Sequence, residues 1–191
     1  GSYNIKINEQ FFNRCPIAVP ENDVVCYDKR CPTPKERESG KSMGRSSSPT
    51  ITYNGVDMSV GVCYDVEFPS YINKITSSGV DVLIVPSWTT DNAGFQRVRR
   101  CAMARAIENN CYVVQVCLVD IRQSNKLSAT GQSGVYAPCD EISGPHGTRL
   151  QLPRNEHAVA TYGANINKLR YSETNGKTVP NRDARENFQF E

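Results

Sequence analysis

Histidine, tryptophan and long apolar stretches are scarce in this sequence of 191 residues, which has two histidines and one tryptophan. Apolar runs such as residues 82–86 are far shorter than the roughly 20 residues that a transmembrane helix needs, so we expect no membrane span. Lysine and arginine number 22 against 20 aspartate and glutamate residues, a balance that argues against nucleic acid as a partner. Phosphate-binding loops of the G-x-x-x-x-G-K-[ST] and G-x-G-x-x-G types are missing, so we expect no nucleotide cofactor.

The eight cysteines include no C-x-x-C pair, so the spacings of zinc ribbons and redox motifs are absent. We therefore predict no metal site. Most of the cysteines are typical of small buried side chains in a reducing compartment, which favours an intracellular protein of the cytoplasm or an organelle matrix, the mitochondrial matrix included. His146 and His157 stand beside no recognisable nucleophile motif and are predicted to be ordinary histidines.

Hydrophobic patterns predict an α/β fold, because strand and helix patterns alternate over residues 56–119. Residues 158–163 are predicted to form a late strand, residues 166–171 a short helix, and the polar residues 172–191 a tail or interaction arm. The other predicted strands are residues 2–7, 11–19, 24–29, 50–53, 56–62, 80–86, 111–119 and 133–137, and the other predicted helices are residues 67–78 and 91–109. The apolar fraction of 38% is low for a self-sufficient globular domain.

Cys63 has the most informative position among the cysteines. It follows an apolar strand, and the chain turns at once into a helix. A thiol on such a turn lies at the carboxyl edge of a sheet, where backbone N–H groups and the helix start lower its pKa and can hold an oxyanion. A half-buried structural cysteine is the alternative interpretation.

Three motifs in order resemble the nitrilase superfamily of carbon–nitrogen hydrolases. Residues 61–69, G-V-C-Y-D-V-E-F-P, resemble its nucleophile motif, and residues 27–38, with T-P-K-E-R-E at 33–38, resemble its lysine motif. The third match combines V-P-S-W-T at 85–89 with R-V-R at 97–99 and A-R-A-I-E-N at 104–109. The lysine segment is similar to that of the branch fused to N-acetyltransferases.

The resemblance implies a four-layer α-β-β-α sandwich that dimerises through its outer helices. On this pattern residues 1–171 form the C-terminal two-thirds of a carbon–nitrogen hydrolase domain. The general-base glutamate of the family precedes its lysine motif, in an N-terminal third that we expect to be absent from this chain. The sandwich is therefore expected to be incomplete at the N-terminus, and a second chain or segment is expected to complete it in a homodimer or larger complex.

The resemblance also assigns catalytic roles. Cys63 is implied to be the nucleophile that attacks a small amide, carbamoyl compound or nitrile, and Lys29 to stabilise the oxyanion. Glu36 is the candidate for a second, positioning carboxylate, with Glu38 as the fallback. The backbone amide of Tyr64 is implied to be the other oxyanion donor.

The remaining assignments concern the pocket and its support. Trp88 and Thr89 are expected in the pocket wall, although Trp88 fits core packing equally well. Arg105 and Glu108 are expected to join the long helix to the site by a buried ion pair. The leading hypothesis is a hydrolase that forms an acyl-enzyme on Cys63. The alternatives are a catalytically inactive subunit of a larger assembly and, less favoured, a small-molecule binding module.

Overall fold

The structure is a computed structural model that describes residues 1–20, 23–119 and 129–187. In these ranges the chain forms two β-sheets, five α-helices and one 3₁₀ helix. The α-helices are α1 (Pro34–Glu38), α2 (Pro69–Thr76), α3 (Asn92–Glu108), α4 (Ile166–Asn175) and α5 (Pro180–Asn187), and the 3₁₀ helix is Cys63–Glu67. The α/β class predicted from the sequence is confirmed.

The smaller sheet is antiparallel and has three strands. In spatial order they are β1 (Tyr3–Ile7), β2 (Gln10–Ile17) and β3 (Val25–Asp28). Asn8 and Glu9 join β1 to β2 with φ values of 46° and 64°, the left-handed conformation that suits a two-residue hairpin loop. Because β3 ends immediately before Lys29, its pairing with β2 fixes the backbone position of that lysine.

The larger sheet has six strands in chain order. They are β4 (Ile51–Tyr53), β5 (Val56–Val60), β6 (Val82–Ser87), β7 (Tyr112–Cys117), β8 (Gly134–Tyr136) and β9 (Thr148–Gln151). The central strands β5, β6 and β7 are parallel, and the outer pairs are antiparallel. The carboxyl ends of β5 and β6 therefore meet at one edge, and Cys63 and Trp88 follow these two ends.

Helices α2 and α3 cover one face of the larger sheet. Val98, Ala102 and Ala106 of α3 pack with Leu83 and Val85 of β6 in the main core. Since side chains alternate along a strand, Ile84 faces the opposite side, where it packs beside a cluster joining the two sheets. That cluster consists of Cys15, Tyr27, Val60 and Val62. Helix α4 covers another part of this second face through contacts of Leu169 with β7 and β8.

The strand predicted over residues 158–163 is wrong. These residues form no strand and are exposed, whereas Thr148–Gln151 pairs with β8 and occupies that sheet edge. A pattern of apolar residues shows that a segment can form a strand, but it does not show which segment pairs with a given neighbouring strand.

Helix boundaries also differ from those predicted. The helix predicted over residues 67–78 is confined to α2, Pro69–Thr76, and a separate 3₁₀ helix precedes it. Pro69 separates the two helices, because it has no N–H to continue the first and instead starts the second. Helix α4 continues past residue 171 to Asn175, and α5 lies within the predicted tail, whose residues 188–191 are outside the described residues.

Candidate active site

Cys63 begins the 3₁₀ helix at the sharp turn that follows β5 (residues 61–63, here called the nucleophile turn), as the sequence predicted. Its φ is +49°, a left-handed conformation that a non-glycine residue adopts only when the surrounding structure enforces it. The half-buried side chain donates a hydrogen bond from Sγ to the Trp88 carbonyl oxygen at 3.6 Å. The turn therefore presents the thiol at the carboxyl edge of the larger sheet, beside the end of β6.

Lys29 is held from both sides by backbone hydrogen bonds. Its N–H donates to the Asn13 carbonyl at 2.8 Å, and its carbonyl accepts from the Gly44 N–H at 2.9 Å. The side chain is only 3% exposed, and Nζ lies 2.7 Å from Glu36 Oε2. A buried ammonium needs such a partner, because burial of an unpaired charge is strongly unfavourable.

Glu36 connects the lysine to the start of helix α1. Its Oε2 accepts from the Thr33 N–H at 2.7 Å as well as from Lys29, and its Oε1 accepts from Asn13 Nδ2 at 2.9 Å. The Thr33 side chain accepts in return from the Glu36 N–H, which completes a capping box. Burial acts to raise the pKa of Glu36, but Lys29 and these hydrogen bonds outweigh it, so the pKa lies below its ordinary value.

The electrostatic environment of Cys63 departs from the expectation. Burial is the largest influence and raises the pKa of the thiol above its ordinary value, although the Lys29 ammonium and the Trp88 hydrogen bond lower it. Glu36 and Glu67 add to the increase, because negative charges disfavour the thiolate. The lowered pKa predicted from the helix start is therefore wrong, and a thiol in this setting depends on a base to become a nucleophile.

The other residues predicted for the oxyanion site and the pocket wall are Tyr64, Trp88 and Thr89. The Tyr64 ring packs edge-on against Phe68, with ring centroids 4.9 Å apart, while its amide directly follows Cys63. Trp88 is 50% exposed, so the interpretation of it as a core residue is wrong. Thr89 Oγ1 donates to the Thr130 carbonyl at 2.6 Å.

The structure brings Glu36, and not Glu38, to Lys29. Glu38 is exposed at the end of α1. Arg105 is buried and donates from Nε to the Val66 carbonyl at 3.0 Å, and this hydrogen bond joins α3 to the 3₁₀ helix. The expected buried ion pair between Arg105 and Glu108 does not make that connection, because both residues belong to α3 and the Glu108 side chain is 43% exposed.

Sequence reasoning missed Asn13 and the contacts of Asp65. Asn13 holds the second oxygen of Glu36, and the only signal for it is an asparagine inside a strand, where this residue is depleted. Asp65 was visible only as one letter of the nucleophile motif, yet it is fully buried and accepts three hydrogen bonds.

A cavity of about 360 Å³ lies away from these residues, at the amino ends of the parallel strands. Asp57, Asp81, Asn110 and Arg170 contribute to its lining. Within the ranges that the structure describes, no three His, Cys, Asp or Glu side chains are grouped so that they could hold a metal ion. No helix of the described residues is long and apolar enough to cross a membrane.

Solved structures confirm the nitrilase-like sandwich. XC1258 from Xanthomonas campestris, a CN-hydrolase superfamily protein, superimposes with a TM-score of 0.73 over 91% of this chain and 64% of that chain, at 23% identity. At this identity the likeness shows the fold alone.

Comparisons of sequence identify the family. The probable hydrolase YhcX of Bacillus subtilis (strain 168) is 29% identical over 190 residues, which are 97% of this chain and 36% of the relative. An (R)-stereoselective amidase of a Pseudomonas species is 31% identical over 127 residues, 66% of this chain and 45% of the relative. The chain thus spans less than half the length of either relative. Residues 17–148 match the carbon–nitrogen hydrolase family, and this match, which covers most of the chain, shows that the protein belongs to that family.

Proposed function

We propose that this protein hydrolyses a non-peptide C–N bond of a small amide, carbamoyl compound or nitrile through a covalent intermediate on Cys63. The observation that carries the proposal is the buried Lys29 ammonium, which pairs with Glu36 at 2.7 Å. Its positive charge is the largest effect that lowers the pKa of the Cys63 thiol. Membership of the carbon–nitrogen hydrolase family and the amidases among its relatives support the reaction class.

With an amide, the first half of the proposed reaction forms a thioester. Cys63 loses its proton to a base, and Sγ then attacks the carbonyl carbon. Lys29 and the Tyr64 amide stabilise the negative oxygen of the tetrahedral intermediate. The C–N bond breaks, the nitrogen takes up a proton and leaves as ammonia or an amine, and the acyl group stays on sulfur.

In the second half, water attacks the thioester carbon and gives up a proton to the base. The C–S bond breaks, the product leaves as a carboxylic acid, and the thiol is restored. The base must come from a group other than Glu36, because Glu36 is already engaged by Lys29, Thr33 and Asn13. The expectation of a base in a preceding segment is part of this proposal.

The most direct test is trapping with a small haloamide. A mutant of the amidase from Nesterenkonia sp. AN1 shows covalent addition of the acetamide moiety of fluoroacetamide at its active site cysteine. We expect fluoroacetamide to add one acetamide moiety to the peptide containing Cys63, with release of fluoride. Cys63→Ala is expected to lower ammonia release from small amides by at least about a thousandfold.

Cys139→Ala is the matched control, because Cys139 is an exposed thiol far along the chain from the nucleophile turn. It is expected to keep both ammonia release and the addition to Cys63. Undiminished ammonia release by Cys63→Ala would refute the proposal.

A catalytically inactive subunit is the second candidate, and the raised pKa of the Cys63 thiol favours it. Such a subunit would keep the fold without turnover. The two candidates differ in one result, since an inactive subunit releases no ammonia from any amide in the intact assembly.

We also propose that the protein works as a homodimer or as a subunit of a larger complex, with a chain or segment that completes its sandwich. The branch fused to N-acetyltransferases is the proposed setting, because its lysine segment resembles the T-P-K-E-R-E of residues 33–38. The hydrolase domain is proposed over residues 1–171, with 172–191 as an arm, although α4 runs across that boundary. The free thiols of all eight cysteines support a reducing compartment, the cytoplasm or an organelle matrix.

A further inference from the structure

Asp65 joins the loop between β3 and α1 (residues 29–33, here called the lysine loop) to the nucleophile turn. Its side chain is 0% exposed. Oδ1 accepts from the Cys31 N–H at 2.7 Å, and Oδ2 accepts from the Val62 N–H at 2.9 Å. Cys31 lies two residues after Lys29, and Val62 directly precedes Cys63. One carboxylate therefore holds the backbone on both sides of the proposed site.

Two tyrosines extend this connection. Tyr27 donates its hydroxyl proton to Asp65 Oδ2 at 2.8 Å and accepts from the Arg30 N–H at 3.0 Å. The Tyr71 hydroxyl lies 2.7 Å from that of Tyr27. Because the single proton of Tyr27 is given to Asp65, Tyr71 must be the donor in this contact. Tyr71 accepts in turn from the Ser48 N–H at 3.1 Å, so the network also reaches α2 and the segment before β4.

We propose that Asp65 is a positioning residue that sets the placement of the Lys29 ammonium relative to the Cys63 thiol. The inference rests on the proposed function of these two groups. No hydrogen bond within the described residues joins the Asp65 carboxylate to Lys29 Nζ or Cys63 Sγ. Its hydrogen-bond donors are Tyr27, Cys31 and Val62. It acts through backbone donors that are separated in the chain by about thirty residues but that share its two oxygens.

The charged and titratable groups around Asp65 are consistent with this role. Lys29, Tyr27 and Cys31 face it from β3 and the lysine loop, and Tyr71 follows Tyr27 from α2. Burial raises the pKa of Asp65 to about 6, while the hydrogen bonds and Lys29 lower it, so the carboxylate is ionised at neutral pH and above. Its oxygens are then acceptors only, which suits three donors.

Asp65→Asn separates positioning from a direct charge effect by the sign of the change. Loss of a neighbouring negative charge would favour the Cys63 thiolate and lower the thiol pKa. Loss of the connection to the lysine loop would move the Lys29 ammonium away from Cys63 and raise the thiol pKa. An amide at position 65 cannot accept hydrogen bonds at both of its ends, so at least one of the backbone donors loses its partner.

The experiment measures the alkylation rate of Cys63 by iodoacetamide between pH 6 and 10, with peptide mapping of each cysteine. For Asp65→Asn we expect the midpoint of the pH profile to rise by about one pH unit and the rate at pH 8 to fall about tenfold. Tyr27→Phe, which removes only the hydroxyl, is expected to change the rate in the same direction by about threefold. It keeps the test usable if Asp65→Asn does not fold.

Asp81→Asn is the matched control. Asp81 is also a buried aspartate that accepts a backbone N–H, that of Asp57 at 2.8 Å, but it lies at the opposite end of the parallel strands. Its replacement is expected to leave the Cys63 profile unchanged within about twofold. The exposed thiol of Cys139 serves as an internal reference in every sample.

A folded Asp65→Asn protein whose Cys63 reacts as fast as the wild type, or faster, would overturn the inference. The alkylation rate of Cys63 can be measured whether or not the protein catalyses a reaction. If ammonia release by the wild type depends on Cys63 but alkylation is insensitive to Asp65, only the positioning role fails. If the intact assembly releases no ammonia from any amide, the proposed function fails whatever Asp65 does.

Discussion

At the scale of single residues, the candidate site depends on contacts between distant parts of the chain. The motifs could predict Cys63, Lys29 and Glu36, because each motif is read from consecutive letters. They could not predict the hydrogen bond from Asn13 to Glu36, which spans 23 residues, or that from Cys31 to Asp65, which spans 34. Such contacts exist only after the small sheet, α1 and the nucleophile turn have packed together.

The pKa of Asp65 predicts how stability changes with pH. Burial raises this pKa from 3.8 to about 6, so between these values the folded protein keeps a proton that the unfolded chain has lost. The stability due to Asp65 is therefore present below pH 4 and is lost as the pH rises through 6. At about 1.4 kcal/mol per pKa unit, the loss is about 3 kcal/mol.

The measurement compares the free energy of urea unfolding of wild type and Asp65→Asn at pH 4 and pH 7. The wild type is expected to lose stability relative to the variant as the pH rises. Glu36 has the opposite effect, because its lowered pKa contributes stability that is lost as the pH falls. This contribution is the same in both proteins and cancels in the comparison. An equal difference between the two proteins at both pH values would contradict the prediction.

At the scale of elements, the central strands and long helix α3 could be predicted because buried strands and amphipathic helices leave periodic patterns. The path of the loop after α1 could not be predicted from the sequence. Gly44 approaches β3 so closely that a Cβ there would lie 1.9 Å from the Asp28 carbonyl oxygen, while its N–H donates to Lys29. A glycine in a polar loop carries no pattern that reveals such an approach.

Gly44→Ala is therefore expected to be strongly destabilising. Backbone atoms cannot move aside as a flexible side chain can, so we expect a loss of at least about 2 kcal/mol in the free energy of unfolding. Gly163→Ala is the matched control, because a Cβ there meets nothing within 4 Å, and its effect is expected to stay within about 0.5 kcal/mol. Urea denaturation of both variants checks this, and equal midpoints would show that the loop shifts freely.

At the scale of the whole molecule, residues 1–20, 23–119 and 129–187 leave part of the second face of the larger sheet exposed. Val116 lies in β7, between β6 and β8, and is nevertheless 50% exposed. Leu118 and Trp88, which follow the ends of β7 and β6, are exposed as well. Central parallel strands are normally covered on both faces, so this face suits contact with a further chain or segment.

We expect the isolated protein to associate through this face. Light scattering after size exclusion is expected to give a mass above that of the 21.2 kDa chain, and Val116→Glu is expected to shift it toward the monomer. Val159→Glu is the control, because Val159 is a single exposed valine outside the sheets. A wild-type protein that stays monomeric at all concentrations would contradict the expectation.

Glu36 Oε2 has two donors at once, the Thr33 N–H that starts α1 and the Lys29 ammonium. A shorter aspartate that reached one of them would fall short of the other. The range of side chains tolerated at this position is consequently narrow even without selection for catalysis, since folding alone already demands the same atom in the same place. A glutamate at this position is therefore not by itself a sign of catalysis.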